Sequence, residues 1–319
     1  MITEEVNYIR SQITKLQKYD LPNNLKITYD LKLTMIDAKI CNALTDTTST
    51  MRCYICGAAS KDFNDLQKMA VQQLNHDAIE FGLSVLHARI RFLEFVLRLA
   101  YKLPLKKWQA RSDSDKEITK GVKQRIQEEF RHELGILVDI PKAGFGTTND
   151  GNTSRRFFSN VETSARITGV DLAFLKKLRL ILELISSGKE LNIQKFSTLC
   201  SETAELYISL YDWYPMSPTV HKILIHGPTV IQHAILPIGQ LSEEAAECRH
   251  KHFREYRNNF ARKSSRTECN RDVLNRLLLT SDPLISSLSC KQDSTAEQFS
   301  DEAFQYFEEA SDEIDMDEE

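Results

Sequence analysis

The sequence predicts a mainly α-helical protein. Three observations carry that reading: apolar residues recur at helical spacing through most of the 319 positions, several of these runs stop at a Gly or Pro, and only one stretch alternates apolar and polar residues as a strand does. With 41% hydrophobic and 27% charged residues, the chain can bury one large core or two smaller ones.

Taken in order, residues 3–18 read as a short amphipathic helix. The stretch LKITYDLKLTMIDAKI (25–40) places Leu25, Ile27, Tyr29, Leu31 and Leu33 at alternate positions and predicts a strand ending near Asp37. A polar loop, ALTDTTSTM, then delivers the chain to Cys53 and Cys56. Residues 75–103 predict one long buried helix, with Asn75 as a candidate cap and Pro104 as its stop; His87 inside it reads as a packing residue. A basic stretch follows from Lys106. Residues 141–158, rich in Gly, Thr and Asn, read as a loop, and they lack the G-x-x-x-x-G-K-[ST] order of a phosphate-cradling loop. Three further helices are predicted: one closed by Gly188, one ended by Pro215, and one capped by Ser217 or Thr219. The segment LSEEAAECRHKHFREYRNNFARKSSR begins acidic and becomes a basic helix, with Ser242 as cap and Glu243 and Glu244 where the helix dipole favours them. A short helix, NRDVLNRLLLTSD, precedes the acidic end, and no internal repeat of 20–50 residues is present.

Charge and cysteine usage narrow the class. Seven cysteines at irregular gaps argue for reduced thiols in an intracellular protein rather than a disulfide framework. No window approaches the roughly eighteen apolar residues of a membrane helix, and the N-terminus lacks a signal-peptide core, so no membrane association is expected. Residues 292–319 hold 12 Asp and Glu and no Lys or Arg, which leaves a body of balance +8 under a net charge of −4. A basic body is compatible with nucleic-acid contact; the acidic tail, 286–319, is compositionally disordered and open to a protein partner.

The chemistry-bearing spacing is C-x-x-C at Cys53 and Cys56 and H-x4-H at His221 and His226. Tetrahedral zinc takes four N or S donors and each pair supplies two, so the pairs either meet at one structural zinc or are independent cysteines and helix-surface histidines. The motif does not sit at the strand-to-helix turn of a βαβ unit, which disfavours a thioredoxin-like redox role.

An Asp at a strand end (Asp37), the C-x-x-C, Trp108 in KKWQAR, the distant H-x4-H, and Glu247 in LSEEAAECRHKHFREYR follow one another in an order that resembles the larger subunit of the V(D)J recombinase and its Transib-type transposase relatives. The resemblance spans roughly residues 25–285. It implies an RNase H-like fold whose two Asp and one Glu bind two Mg²⁺ or Mn²⁺ ions for DNA strand cleavage and transfer, the second Asp and the Glu being separated by a helical zinc-bound insertion. Carried over, Asp37 and Glu247 are catalytic carboxylates and Cys53, Cys56, His221 and His226 hold structural Zn²⁺. Arg155, Arg156, Arg249, Lys251, Arg254, Arg257, Arg262 and Lys263 are the candidate DNA contacts. The implied organisation is a partial RNase H-like remnant (1–47), a helical zinc-binding domain (48–240), C-terminal helices with the Glu (241–285), and the acidic tail. Only 36 residues precede Asp37, so the first catalytic Asp is unmatched and these residues alone are expected to be inactive. The implied setting is a nuclear DNA-binding protein, acting as a homodimer; a zinc-containing DNA- or chromatin-binding protein without catalysis is the alternative.

Overall fold

The structure, a computed structural model, describes residues 2–22, 25–29, 31, 34–144, 146–289 and 299–308. It is mainly α-helical. In chain order, α1 (Ile2–Ile13) is followed by two-residue strands β1 (Tyr19–Asp20) and β2 (Lys26–Ile27), then α2 (Ala38–Leu44), α3 (Leu66–Ala70), α4 (His76–Ile79), α5 (Val85–Ala100) and α6 (Asp113–Glu133). The chain continues through α7 (Gly151–Ser159), α8 (Val161–Thr168), α9 (Leu172–Ser186), α10 (Ile193–Tyr211), α11 (Pro218–His221), a π-helical turn (Lys222–His226) and α12 (Gly227–Gln232). It ends with α13 (Glu244–Glu255), a second π turn (Tyr256–Phe260), α14 (Arg266–Leu279), α15 (Pro283–Ser289) and α16 (Asp301–Phe304).

Local chemistry starts these helices where it should. Ser84, Ser112, Asp150, Asp171, Asn192 and Ser217 each precede a helix and accept a first-turn amide through the side chain. Helix α8 stops at Gly169, whose φ of +73° closes the last turn. The main core lies where α5, α9 and α10 pack together. Phe95 and Phe174 flank the fully buried Tyr207 with ring centroids 5.4 and 5.3 Å away, and the Tyr207 hydroxyl donates to the Tyr214 carbonyl at 2.6 Å. A second small cluster of Ala261, Cys269 and Val273 holds α14 against the turn after α13.

Several expectations change. Of the described residues in 25–40, only Lys26 and Ile27 form strand, pairing antiparallel with Tyr19 and Asp20, while Leu25, Ile27, Tyr29 and Leu31 are all exposed; Leu33 lies outside the described residues. The alternation is present, but among the described residues no further strand pairs with it, and a two-stranded ribbon is marginal by itself. Asp37 consequently caps α2 through a 2.6 Å bond from the Lys39 amide instead of ending a strand.

The predicted helix 75–103 is two helices, because the chain turns at Gly82 with φ +71° and a Cβ there would lie 2.8 Å from Met35 Sδ. The predicted loop 141–158 is half helix, since Asp150 caps α7. The acidic tail also departs from its compositional reading. Residues 299–308 dock on the body: Asn192 N–H donates to the Tyr306 carbonyl at 2.8 Å, Glu308 N–H to the Glu190 carbonyl at 3.0 Å, and Lys189 Nζ lies 5.0–5.3 Å from the rings of Phe299, Phe304 and Phe307. Aromatic residues among the acids supply the burial that net charge alone does not reveal. Residues 286–289 of the predicted disordered tail instead close helix α15, and 290–298 and 309–319 lie outside the described residues. Among the described residues no helix is long and apolar enough to cross a membrane.

Candidate metal centre

Cys53 and Cys56 sit on a tight hairpin. Cys53 N–H donates to the Ala58 carbonyl at 2.9 Å, Gly57 N–H to the Cys53 carbonyl at 2.8 Å, and Arg52 bridges Ala59. Gly57, at φ +69°, allows the chain to reverse immediately after the second cysteine. The amides of Ile55 and Cys56 face the Cys53 sulphur and that of Ala58 faces Cys56, so the turn itself stabilises negative sulphur.

The histidines arrive by a different device. Five residues along an α-helix rotate a side chain by about 140°, onto another face. The π turn at Lys222–His226 absorbs that offset. Pro228 follows directly and cannot donate an amide to the preceding turn, which favours widening at this position. Both imidazoles therefore face the hairpin.

All four side chains are buried, and their ligand atoms lie within 4.8 Å of one another. His226 Nε2 is 3.2 Å from His221 Nε2, which is 3.4 Å from Cys56 Sγ. Zn–N bonds of about 2.0–2.1 Å and Zn–S bonds of about 2.3 Å at tetrahedral angles require N···N near 3.3 Å and N···S near 3.6 Å. The donor set thus has the composition and spacing of a zinc site, with Phe63 stacked on His221 at a centroid distance of 4.0 Å to fix the ring. Cys56 is the sulphur held as thiolate: the Cys53 thiol donates to it and His221 and His226 face it, while the same donation, with burial, pushes Cys53 well up. Burial holds His221 neutral, the state in which it ligates. His221 Nδ1 is buried and has no partner among the described residues. Zinc held by four protein donors has no open position and serves to clamp the fold.

The catalytic-type carboxylates are placed differently from each other. Asp37 opens onto a cleft of about 510 Å³ lined also by Arg52, His87, Arg91 and Lys222. Its Oδ2 is 3.8 Å from His87 Nε2, while His87 Nδ1 is 3.4 Å from Glu243 Oε1. Asp37 and Glu243, which precedes α13, therefore flank His87 from two sides. Glu247, one helical turn further, is exposed, and its carboxylate lies 3.4 Å from His250 on its own helix. His87 is raised first by Glu243, and Glu243 is lowered by His87 and Ser84 against the opposing effect of burial. The sequence marked His87 only as a packing residue and Glu243 only as an acid favoured by the helix dipole. The available signals were the three-residue spacing from Ser84 to His87 and the cluster of glutamates around Glu247.

Most of the candidate DNA contacts are engaged within the chain. Arg155 pairs with Glu244, Arg156 donates to the carbonyls of Leu134 and Gly135 at the end of α6, and Arg249 to Thr280 and Ser281. Arg262 is bidentate with Asp272, and Lys263 donates to the Arg257 carbonyl. Lys251, Arg254 and Arg257 present exposed side chains. Trp108 is also exposed.

Neither a protein-family model nor a curated protein matches this chain.

Proposed function

We propose that this chain is part of a DDE-type recombinase of the V(D)J–Transib kind, built round a zinc-clamped helical domain that holds DNA and leaves the chemistry to a more complete active site. The observation that carries the reading is the meeting of Cys53 and Cys56 with His221 and His226, the residues assigned by resemblance, in one buried tetrad. The second support is that Asp37 and Glu243, from distant segments, meet at His87 beside the Asp37 cleft, while the glutamate that the resemblance assigns, Glu247, is exposed one turn along α13. Two-metal cleavage with Mg²⁺ or Mn²⁺ needs three carboxylates, of which the resemblance assigns two, Asp37 and Glu247. The exposed apolar residues Tyr8, Leu25, Ile27, Tyr29 and Leu31 offer a surface against which an RNase H-like sheet would pack, and Leu274, Leu278, Leu284 and Leu288 a surface for a second copy.

The alternative, a DNA- or chromatin-binding protein without catalysis, is favoured by the solvent-facing Glu247. Both readings place the protein in the nucleus. The test is duplex-DNA binding by fluorescence anisotropy across a salt series, with the intact chain and the Lys251→Ala/Arg254→Ala/Arg257→Ala variant. Loss of three phosphate contacts lowers the slope of log K against log salt by about 3. No binding at low salt, or a slope unchanged in the variant, overturns the DNA reading.

A further inference from the structure

We propose that Lys189 is a site of Nε-methylation whose methylammonium head is held by Phe299, Phe304 and Phe307 of the docked acidic segment. Lys189 is exposed in the connection between α9 and α10, and its Nζ lies 5.3 Å from the ring centroid of Phe299, 5.3 Å from that of Phe304 and 5.0 Å from that of Phe307. The three rings stand steeply to one another, with interplanar angles of 86°, 67° and 82°. They make three walls of a box around the ammonium, the arrangement by which aromatic cages recognise methylated lysine and other quaternary ammonium groups.

Two features suit the box to a methylated amine better than to a free one. A free ammonium carries three N–H donors that need oxygen acceptors, and among the described residues the Lys189 head meets only these rings. Distance is the second feature. A methyl carbon about 1.45 Å beyond the nitrogen reaches to about 3.6–3.9 Å from the ring centroids, inside the range of about 3.5–4.0 Å where carbon atoms attract most strongly. The bare nitrogen leaves that gap unfilled. Methylation keeps the positive charge, so the attraction to the ring faces stays while the N–H groups that call for water are removed. With no carboxylate among the described residues of the box to accept a remaining N–H, the trimethylated form fits best.

The methyl groups come from a sulfonium donor of the S-adenosylmethionine class, delivered by a separate methyltransferase. In each transfer the lone pair of the deprotonated Nζ forms the new N–C bond as the donor's C–S bond breaks, a thioether leaves, and one proton passes from the former ammonium to solvent. The box exists only while residues 299–308 are docked. Asn192 N–H on the Tyr306 carbonyl at 2.8 Å, Glu308 N–H on the Glu190 carbonyl at 3.0 Å and the Ser300 hydroxyl on Glu183 at 3.0 Å hold them there. Methylated Lys189 therefore fastens the acidic segment to the connection between α9 and α10. This fastening is independent of any DNA contact.

The experiment installs Nε-trimethyl-lysine at position 189 of the intact chain and follows amide hydrogen exchange at Asn192 and Glu308 by NMR. Slowing of about 2- to 5-fold at both amides, relative to the unmodified chain, is expected. The uncharged tert-butyl isostere of trimethyl-lysine, which has the same shape, is expected to give no such slowing. Phe304→Leu removes the most exposed wall, and at an unchanged melting temperature it is expected to abolish the gain from trimethylation. Peptide mass spectrometry on the chain isolated from cells that express it naturally is expected to find Lys189 methylated. Trimethyl-lysine that leaves exchange unchanged or speeds it, an isostere that slows exchange equally, or a Lys189 found only unmethylated overturns the inference.

Discussion

A metal bound by the Cys53–Cys56–His221–His226 tetrad closes a long loop of the chain, and removing it opens that loop. Cys56 and His221 are 165 residues apart in sequence. By the chain-entropy account used for covalent cross-links, closing a loop of that length removes about 5 kcal/mol of unfolded-state freedom, an upper value for a metal clip that also binds the unfolded chain weakly. At this chain length each kcal/mol moves the melting temperature by about 1.5 °C, so chelation is expected to lower it by up to about 7 °C. The assay is differential scanning calorimetry on the purified chain with and without chelator, alongside zinc per chain by mass spectrometry. Cys56→Ser and His226→Ala are each expected to contain no zinc, to melt with the chelated wild type, and to show no further response to chelator. Cys200→Ala, a fully buried cysteine outside the tetrad, keeps its zinc and its chelator response. A wild-type chain that carries no zinc, or that loses zinc with a shift below about 2 °C, refutes the clamp.

Two further expectations concern the periphery. Arg262 holds the Asp272 carboxyl down to about 2, a depressed carboxylate whose stabilising contribution is present above its ordinary pKa near 4 and is lost as pH falls through about 2. Carbon-detected NMR titration should find that midpoint near 2, and Arg262→Ala should return it to the ordinary range; a midpoint near 4 in the wild type shows the pair is not formed. Lys189→Ala removes the cation beneath Phe299, Phe304 and Phe307, and hydrogen exchange at the Glu308 and Asn192 amides should accelerate together, since each is bonded across the docked segment. Unchanged protection at both amides would show that the backbone pairing holds the segment without Lys189.

Much of the helical architecture is written locally, in caps and periodicity. Ser84, Asp150, Asp171, Asn192 and Ser217 announce helix starts by chemistry confined to four residues, and apolar spacing marks α5, α9 and α10 as core helices. Capping explains the failures as well: Asp150 started a helix where Gly and Thr content suggested a loop. The four metal-type ligands were legible because their residue types are few and their spacing is characteristic. Their meeting was not, and neither was the π turn that puts His221 and His226 on one face, since α-helical spacing would separate them.

The amino-acid sequence by itself therefore determined the helical class, some helix starts such as Ser217, and the identity of the zinc-type donors, all properties set by neighbours along the chain. Only the tertiary structure decided that Asp37 and Glu243 meet at His87 while Glu247 faces His250, that Arg155, Arg156, Arg249 and Arg262 are engaged inside the protein, and that an acidic segment folds back onto the body. Each depends on contacts between residues distant in sequence. A carboxylate, a guanidinium or an aromatic ring has the same chemistry in either setting, and packing alone selects the partner it meets.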